Sequence, residues 1–253
     1  MLEIKTKFAR SLVAGIFLMG GAVPASAYET SFIYTADGGF ITGSEVGFPS
    51  GGSNDTVFFH NDDETVCVTP QCHGVSWGLP LDAQSDLHIN PPDPALGTVI
   101  TNGPLVDLFS LTHHNTPTTE DFAGTLDLLW HLTLIETTGM NPVATIDWVF
   151  RINVFELRDF PGPMDDEFSY TLISGPLNNV FMFNGDNYRV SLSGFYDSLG
   201  QLTSIFYSPE GGSTTAYVKF GVSTVPEPCA IALMGIGMLG MVGGFVRRMK
   251  QQA

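Results

Sequence analysis

Two stretches in the middle of the chain constrain its fold more than any others. From Phe122 to Glu136, Leu126, Leu128, Trp130, Leu132 and Leu134 occupy every second position, with Thr125, Asp127, His131 and Thr133 between them. From Thr145 to Glu156 the pattern recurs, with Ile146, Trp148, Phe150, Ile152 and Val154 on one face and Asp147, Arg151 and Asn153 on the other. A period of two is the signature of a strand with one face buried and one face wet, and a helical period of 3.6 cannot produce it. The two stretches are expected to be adjacent antiparallel strands, joined through Thr137-Thr-Gly-Met-Asn-Pro142, with Trp130 and Trp148 facing the core.

The rest of the middle reads as shorter strands between turns. Strands are expected at Ser31–Ala36, Val66–Val68, Gly74–Gly78, Glu167–Ile173, Asn179–Phe183, Tyr188–Tyr196, Thr203–Tyr207 and Ala216–Val222. Residues 38–63 are rich in Gly, Ser and Asn and read as turns. Residues 80–97 read as loop, with Asp86-Leu-His-Ile89 a short edge strand. Asn102-Gly103 predicts a hairpin between Thr98–Thr101 and Leu105–Leu111. Many short strands, with no amphipathic helix and no internal repeat, imply an all-β fold: a single β-sandwich or jelly-roll-like domain over residues 28–224.

Both ends carry export signals. Lys5, Lys7 and Arg10 precede an apolar core from Leu12 to Ala22, and Ala25 and Ala27 form a small-residue cleavage site. Residues 1–27 are therefore a secretory signal peptide. The tail holds Val225, Pro226, Glu227 and Pro228, then an uncharged apolar run from Cys229 to Val246, then Arg247, Arg248 and Lys250. As a helix that run spans roughly 27 Å, enough to cross a hydrocarbon core. The basic cluster keeps its end on the cytoplasmic side and leaves everything before Val225 outside.

This order of parts, over residues 225–250, resembles the PEP-CTERM sorting signal. The resemblance implies processing by exosortase, a membrane protease, after a stage in the inner membrane. It also implies a cell-surface or extracellular destination linked to exopolysaccharide and biofilm. The alternative is an ordinary membrane anchor, in which Gly240-x-x-x-Gly244 would serve helix–helix packing.

Charge narrows the partners. Between the two ends only Arg151, Arg158, Arg189 and Lys219 face 24 acidic residues, a net charge of −20. Such a surface repels nucleic acid and anionic lipid, so no nucleic-acid partner is expected.

Ser110-Leu-Thr-His-His-Asn-Thr-Pro117 follows an apolar strand. With Ser76-Trp-Gly78, Thr98-Val-Ile-Thr-Asn-Gly103, Phe183-Asn-Gly-Asp-Asn-Tyr188 and Val190-Ser-Leu-Ser-Gly-Phe195, it resembles a PEP-CTERM subgroup marked by a THxN motif. The motif residues here are Thr112, His113 and Asn115. The subgroup brings no established activity. The residues themselves predict a strand-to-loop corner: Thr at the strand end, Asn bonding to local main chain, Pro117 fixing the exit. His113 is expected to point inward and hydrogen-bond to the backbone, and His114 to face solvent. The alternative is a metal site, with a further ligand from His131 or an acidic loop.

Cys67 and Cys72 enclose Val-Thr-Pro-Gln in the exported part, which favours a disulfide, with a metal site including His73 as the alternative. Cys229 lies at the membrane edge. No nucleophile elbow or phosphate loop occurs, and Glu64, Glu120, Glu136 and Glu156 show no catalytic spacing. No catalytic residue, no metal ligand and no cofactor is assigned. Calcium at Asp62-Asp63-Glu64 or Asp165-Asp166-Glu167 stands against solvated turn acids. His60, His73, His88 and His131 are scattered and read as structural. The leading expectation is a non-enzymatic surface or matrix protein. One alternative is a glycan- or calcium-binding module presenting Trp77, Tyr196 and Tyr207. The other is an envelope hydrolase, which would need a cleft with clustered acids or histidines.

Overall fold

Alternation dictates which side chains each strand turns inward, and the computed structural model arranges those inward faces as the two walls of one core. It describes residues 30–48, 57–61, 71–77, 84–90, 96–117, 121–157 and 165–225. No helix occurs among the described residues, and every strand falls in the unit Ser31–Ala253. The expected strand Val66–Val68, Cys67, the signal peptide and the tail from Pro226 lie outside the described residues.

The first sheet is built around β8 (Phe122–Glu136) and β9 (Pro142–Glu156). They pair antiparallel from Phe122↔Glu156 to Ile135↔Pro142, with Trp130 directly across from Trp148, as the alternation predicts. Leu126, Leu128, Trp130, Leu132, Leu134, Ile152 and Val154 are all fully buried. Strand β1 (Ser31–Ile41) adds to the outer edge of β8, and β10 (Asp166–Ser174) to that of β9. Short strands complete the sheet: β13 (Ile205–Ser208) beyond β10, with β3 (Gln71–Cys72) and β6 (Leu96–Ile100) sharing the free edge of β1.

The second sheet runs β11 (Asn178–Phe183), β12 (Asp186–Tyr196), β14 (Ser213–Thr224), β7 (Val106–His114), β5 (Ser85–Asn90), β4 (Gly74–Trp77) and β2 (Phe58–His60). Every pairing in both sheets is antiparallel.

Aromatic rings join the two sheets. Phe109 of β7 lies 4.3 Å from Trp130 of β8, ring centre to ring centre. Tyr34 of β1 meets Phe220 of β14 edge-on at 5.1 Å, and Phe32 meets Phe181, Phe183 and Tyr188 in the same way. Edge-to-face geometry places the positive ring rim on the negative ring face, which adds to the gain from burying area.

Three sequence expectations need correction. Residues 38–63 are not wholly turn: β1 continues to Ile41, and Phe58–His60 form β2. Gly38 stands across from Trp130 in register, and a Cβ there would collide with the Leu129 carbonyl and the Trp130 ring. Its glycine makes room for the indole and marks no turn. Asp86-Leu-His-Ile89 is not an edge strand, because β5 lies between β4 and β7. Asn102-Gly103 does not close a hairpin. Asn102 does take the left-handed backbone that favours such turns, at φ 58°. But β6 belongs to the first sheet and β7 to the second, so the turn carries the chain across the core. The Asn102 amide donates to the Val222 carbonyl at 2.8 Å, and its side chain accepts from the Thr224 amide at 3.2 Å. These bonds dock the turn on β14.

Cys72 is fully buried and disulfide-bonded.

The close approach at Gly38 yields a prediction. Gly38→Ala overpacks the site and should cost about 1–3 kcal/mol, read as a lower denaturation midpoint in urea. Gly43→Ala is the reference: no atom lies within 4 Å of a Cβ there, so its cost should come from the positive φ alone.

Candidate functional site

Strand parity gathers a group of polar side chains at one end of the sandwich. On β7, Phe109 and Leu111 face the core, and so does His113, which is fully buried. On β9 the inward series that begins at Ile146 ends on Glu156, which is 1 % exposed. Strand β10 opens on Asp166, fully buried and on the same parity as Phe168. Glu167 pairs with Phe155, so Glu156 and Asp166 follow as the next positions on facing strands. His113, Glu156 and Asp166 each offer a ligand atom within 4.8 Å of the other two. The histidine comes from the second sheet and both carboxyl groups from the first.

The surroundings are specific. The indole Nε1 of Trp77 donates to Glu156 Oε2 at 2.8 Å, and the Ser85 hydroxyl donates to Glu156 Oε1 at 3.0 Å. Both donors belong to the second sheet, so this one carboxylate is held across the core by two strands. Ser85 Oγ also accepts from the Thr116 amide at 3.1 Å, which fastens the chain just beyond the THxN corner. The backbone amide of Leu157 donates to Asp166 Oδ1 at 2.9 Å. The His113 ring stacks on Trp77 at 5.5 Å and 10°, and its edge meets Phe168 at 5.6 Å.

The corner reading of the motif agrees with this geometry. Strand β7 ends at His114, and Asn115 turns back to its surroundings. Its amide donates to the Gly212 carbonyl at 2.9 Å, and its side-chain nitrogen donates to the Ser208 carbonyl, also at 2.9 Å. Thr112 shares a hydroxyl hydrogen bond with Thr215 at 2.9 Å. His114 faces outward as predicted and binds Asp86 at 2.8 Å. One part of the expectation fails. His113 makes no hydrogen bond to the backbone; neither ring nitrogen has a partner. Aromatic stacking holds the ring.

Other expectations change as well. Trp77 is fully buried and presents nothing to a ligand, because its indole seals the cluster; Tyr207 is exposed, and Tyr196 only partly so. Asp166 is not a solvated turn acid: alternation turns it inward, while Asp165 beside it is exposed. Asp62-Asp63-Glu64 lies outside the described residues. His131 pairs with Asp147 on the outer face at 2.6 Å, away from His113. His60 binds the Ser76 hydroxyl at 2.9 Å and stacks on His88. Glu156 is the functional candidate that spacing did not reveal. The signal was present, since it shares parity with Val154 and Ile152.

Burial sets the protonation. Desolvation comes first and the Glu156 charge second in pushing the Asp166 carboxyl up to about 9. The Leu157 amide opposes that rise, and Glu210 adds to it. Burial and the facing carboxylate therefore favour the protonated form of Asp166, while Trp77 and Ser85 both donate to Glu156. Burial, then the neighbouring His114, lowers His113 to about 3, so its imidazole is neutral.

No protein-family model matches the chain, and no curated protein matches it.

Two predictions follow from the cluster. A carboxyl raised in the folded state favours folding below its unfolded pKa and loses that advantage as pH climbs through the folded one. The Asp166 contribution is thus complete below its ordinary 3.8 and gone above about 9. His113, lowered from 6.5 to about 3, favours folding above 6.5 and loses that contribution as pH falls. The two slopes oppose each other below 6.5. Above it Asp166 acts alone, so in chelator stability should fall between 6.5 and about 9. The slope should approach about 1.4 kcal/mol per pH unit. Urea titrations at several pH values check this, and Asp166→Asn should flatten the slope.

The second concerns the paired histidines. His113→Ala empties a buried ring site and should cost about 2–4 kcal/mol. His114→Ala removes an exposed hydrogen bond to Asp86 and should cost less than about 1 kcal/mol. Thermal unfolding of both variants reads the difference.

Proposed function

We propose that the protein is an exported, non-enzymatic component of the cell surface or extracellular matrix. In this reading a jelly-roll-like sandwich is delivered through an inner-membrane intermediate, cut by an exosortase-type protease and associated with exopolysaccharide. The observation that carries it is the fit between the folded unit and the two end signals. Strand β1 starts at Ser31, shortly after the Ala25-x-Ala27 site, and β14 stops at Thr224, directly before Val225-Pro-Glu-Pro228. Among the described residues, the first and last strands lie close to the two signals.

Burial of the polar cluster supports a structural role over a catalytic one. Ser85, His113, Asn115, Glu156, Asp166 and Ser208 are each at most 3 % exposed, and a reaction needs a group that a substrate can reach. The charge of −20 between the two signals suits a soluble, well-hydrated surface component and disfavours polyanionic partners.

Mass spectrometry of the native product tests the reading. The exported form should begin at Tyr28 and end near Pro226-Glu-Pro228. An intact chain retained in the inner membrane of cells that carry the protease overturns it.

A further inference from the structure

We propose that His113, Glu156 and Asp166 bind one divalent transition-metal ion, with Zn2+ the best fit, and that this ion fastens the two sheets to each other. The inference is independent of how the protein is exported.

The first observation is the donor set. One imidazole nitrogen and two carboxylate oxygens converge within 4.8 Å of one another. A tetrahedral ion at ordinary zinc distances sets its ligand atoms on the order of 3.4 Å apart, so the site closes by about 1.4 Å at its widest. Glu156 and Asp166 stand at strand ends, where side-chain torsions supply that movement.

The second observation is the set of buried polar atoms with nothing to bond. Both nitrogens of His113, Oδ2 of Asp166 and Oδ1 of Asn115 have no hydrogen-bond partner. Folded proteins rarely bury such atoms unpaired, and each costs about 1–3 kcal/mol. A cation answers the histidine and the aspartate together. Asn115, buried just past the end of β7, is tied to the carbonyl of Ser208, the residue that pairs with Asp166. Its amide oxygen, buried without a partner, is a candidate for a fourth ligand.

The third is the outer ring of hydrogen bonds. Trp77 and Ser85 hold Glu156, and the Leu157 amide holds Asp166. Ligating carboxylates are normally oriented in this way. Charge also balances: two carboxylates and a divalent ion make a neutral centre, which an apolar interior tolerates. Calcium is disfavoured, because it wants six to eight oxygens and gains little from imidazole. Burial excludes the open coordination position of a catalytic zinc, so the ion's role is structural.

The test uses the full chain purified in detergent, stripped with chelator and reloaded with Zn2+, Co2+ or Ca2+. One tightly held Zn2+ or Co2+ per chain is expected. Zn2+ should raise the unfolding temperature by at least about 5 °C, while Ca2+ leaves it nearly unchanged. The Co2+ form should show the visible d–d absorption of a four- or five-coordinate ion. His113→Ala and Asp166→Asn should lose both the bound ion and the absorption, and His114→Ala should keep them. X-ray absorption of the wild-type Zn2+ protein needs no variant and should find an imidazole nitrogen among oxygens. An all-oxygen shell, metal uptake unchanged in a folded His113→Ala protein, or no tightly held ion at all overturns the proposal.

Discussion

Everything else in the fold is placed by the pairing of β8 with β9. Their ladder runs the length of both strands, and its register sets Trp130 against Trp148. Two indoles side by side make a wide apolar floor, and the opposite sheet must cover it. Phe109 of β7 does so over Trp130, and it and Phe195 of β12 both meet Phe150. The neighbours on the first sheet are equally constrained. Gly38 lacks a side chain because Trp130 fills the space above it. Strand β10 begins where β9 stops being able to bury carbon.

At that point the same alternation that builds the core starts to work against it. After Val154 the next inward position is a carboxylate. The fold does not turn it out. Instead the second sheet sends an indole N–H and a serine hydroxyl across the core to meet it. A buried anion with two donors from a different sheet is worth little as a source of stability, since desolvation offsets much of the gain. Its value is selectivity among arrangements. A two-residue slip of β9 would keep its apolar residues facing the core yet carry Glu156 away from Trp77 and Ser85, its two donors. The polar cluster thus penalises wrong registers that the apolar residues alone would tolerate.

The readable part of the sequence was whatever depends on parity within one strand. Alternation identified the faces of β8 and β9, and it separated the inward His113 from the outward His114. What escaped depends on which strand lies next door. Asn102-Gly103 has the local chemistry of a hairpin, yet local chemistry does not say which sheet the next strand joins. The docking of Asn102 on β14 decides that, and its partner lies far along the chain. Gly38 looked like a turn for the same reason, because its cause is a tryptophan on another strand. Glu156 and Asp166 sat on readable inward positions, but acidic residues at strand ends are usually solvated. Their meeting with His113 needs the β9–β10 register and the stacking of two sheets, neither of which a linear pattern contains. Trp77 reads as a surface aromatic in isolation, and the two sheets together bury it fully.

The position of β14 has a mechanical consequence. It is an interior strand, bonded along one side to β12 and along the other to β7, and it is the last strand before Val225. Tension on the chain beyond Val225 therefore enters the domain along the axis of β14. Its ladder hydrogen bonds lie across that axis, so the load falls on two rows in shear together, where an edge strand would offer one. Asn102, clamped to Thr224, sits where that force arrives. A pull at that end would meet two full ladders before any strand could leave the sheet.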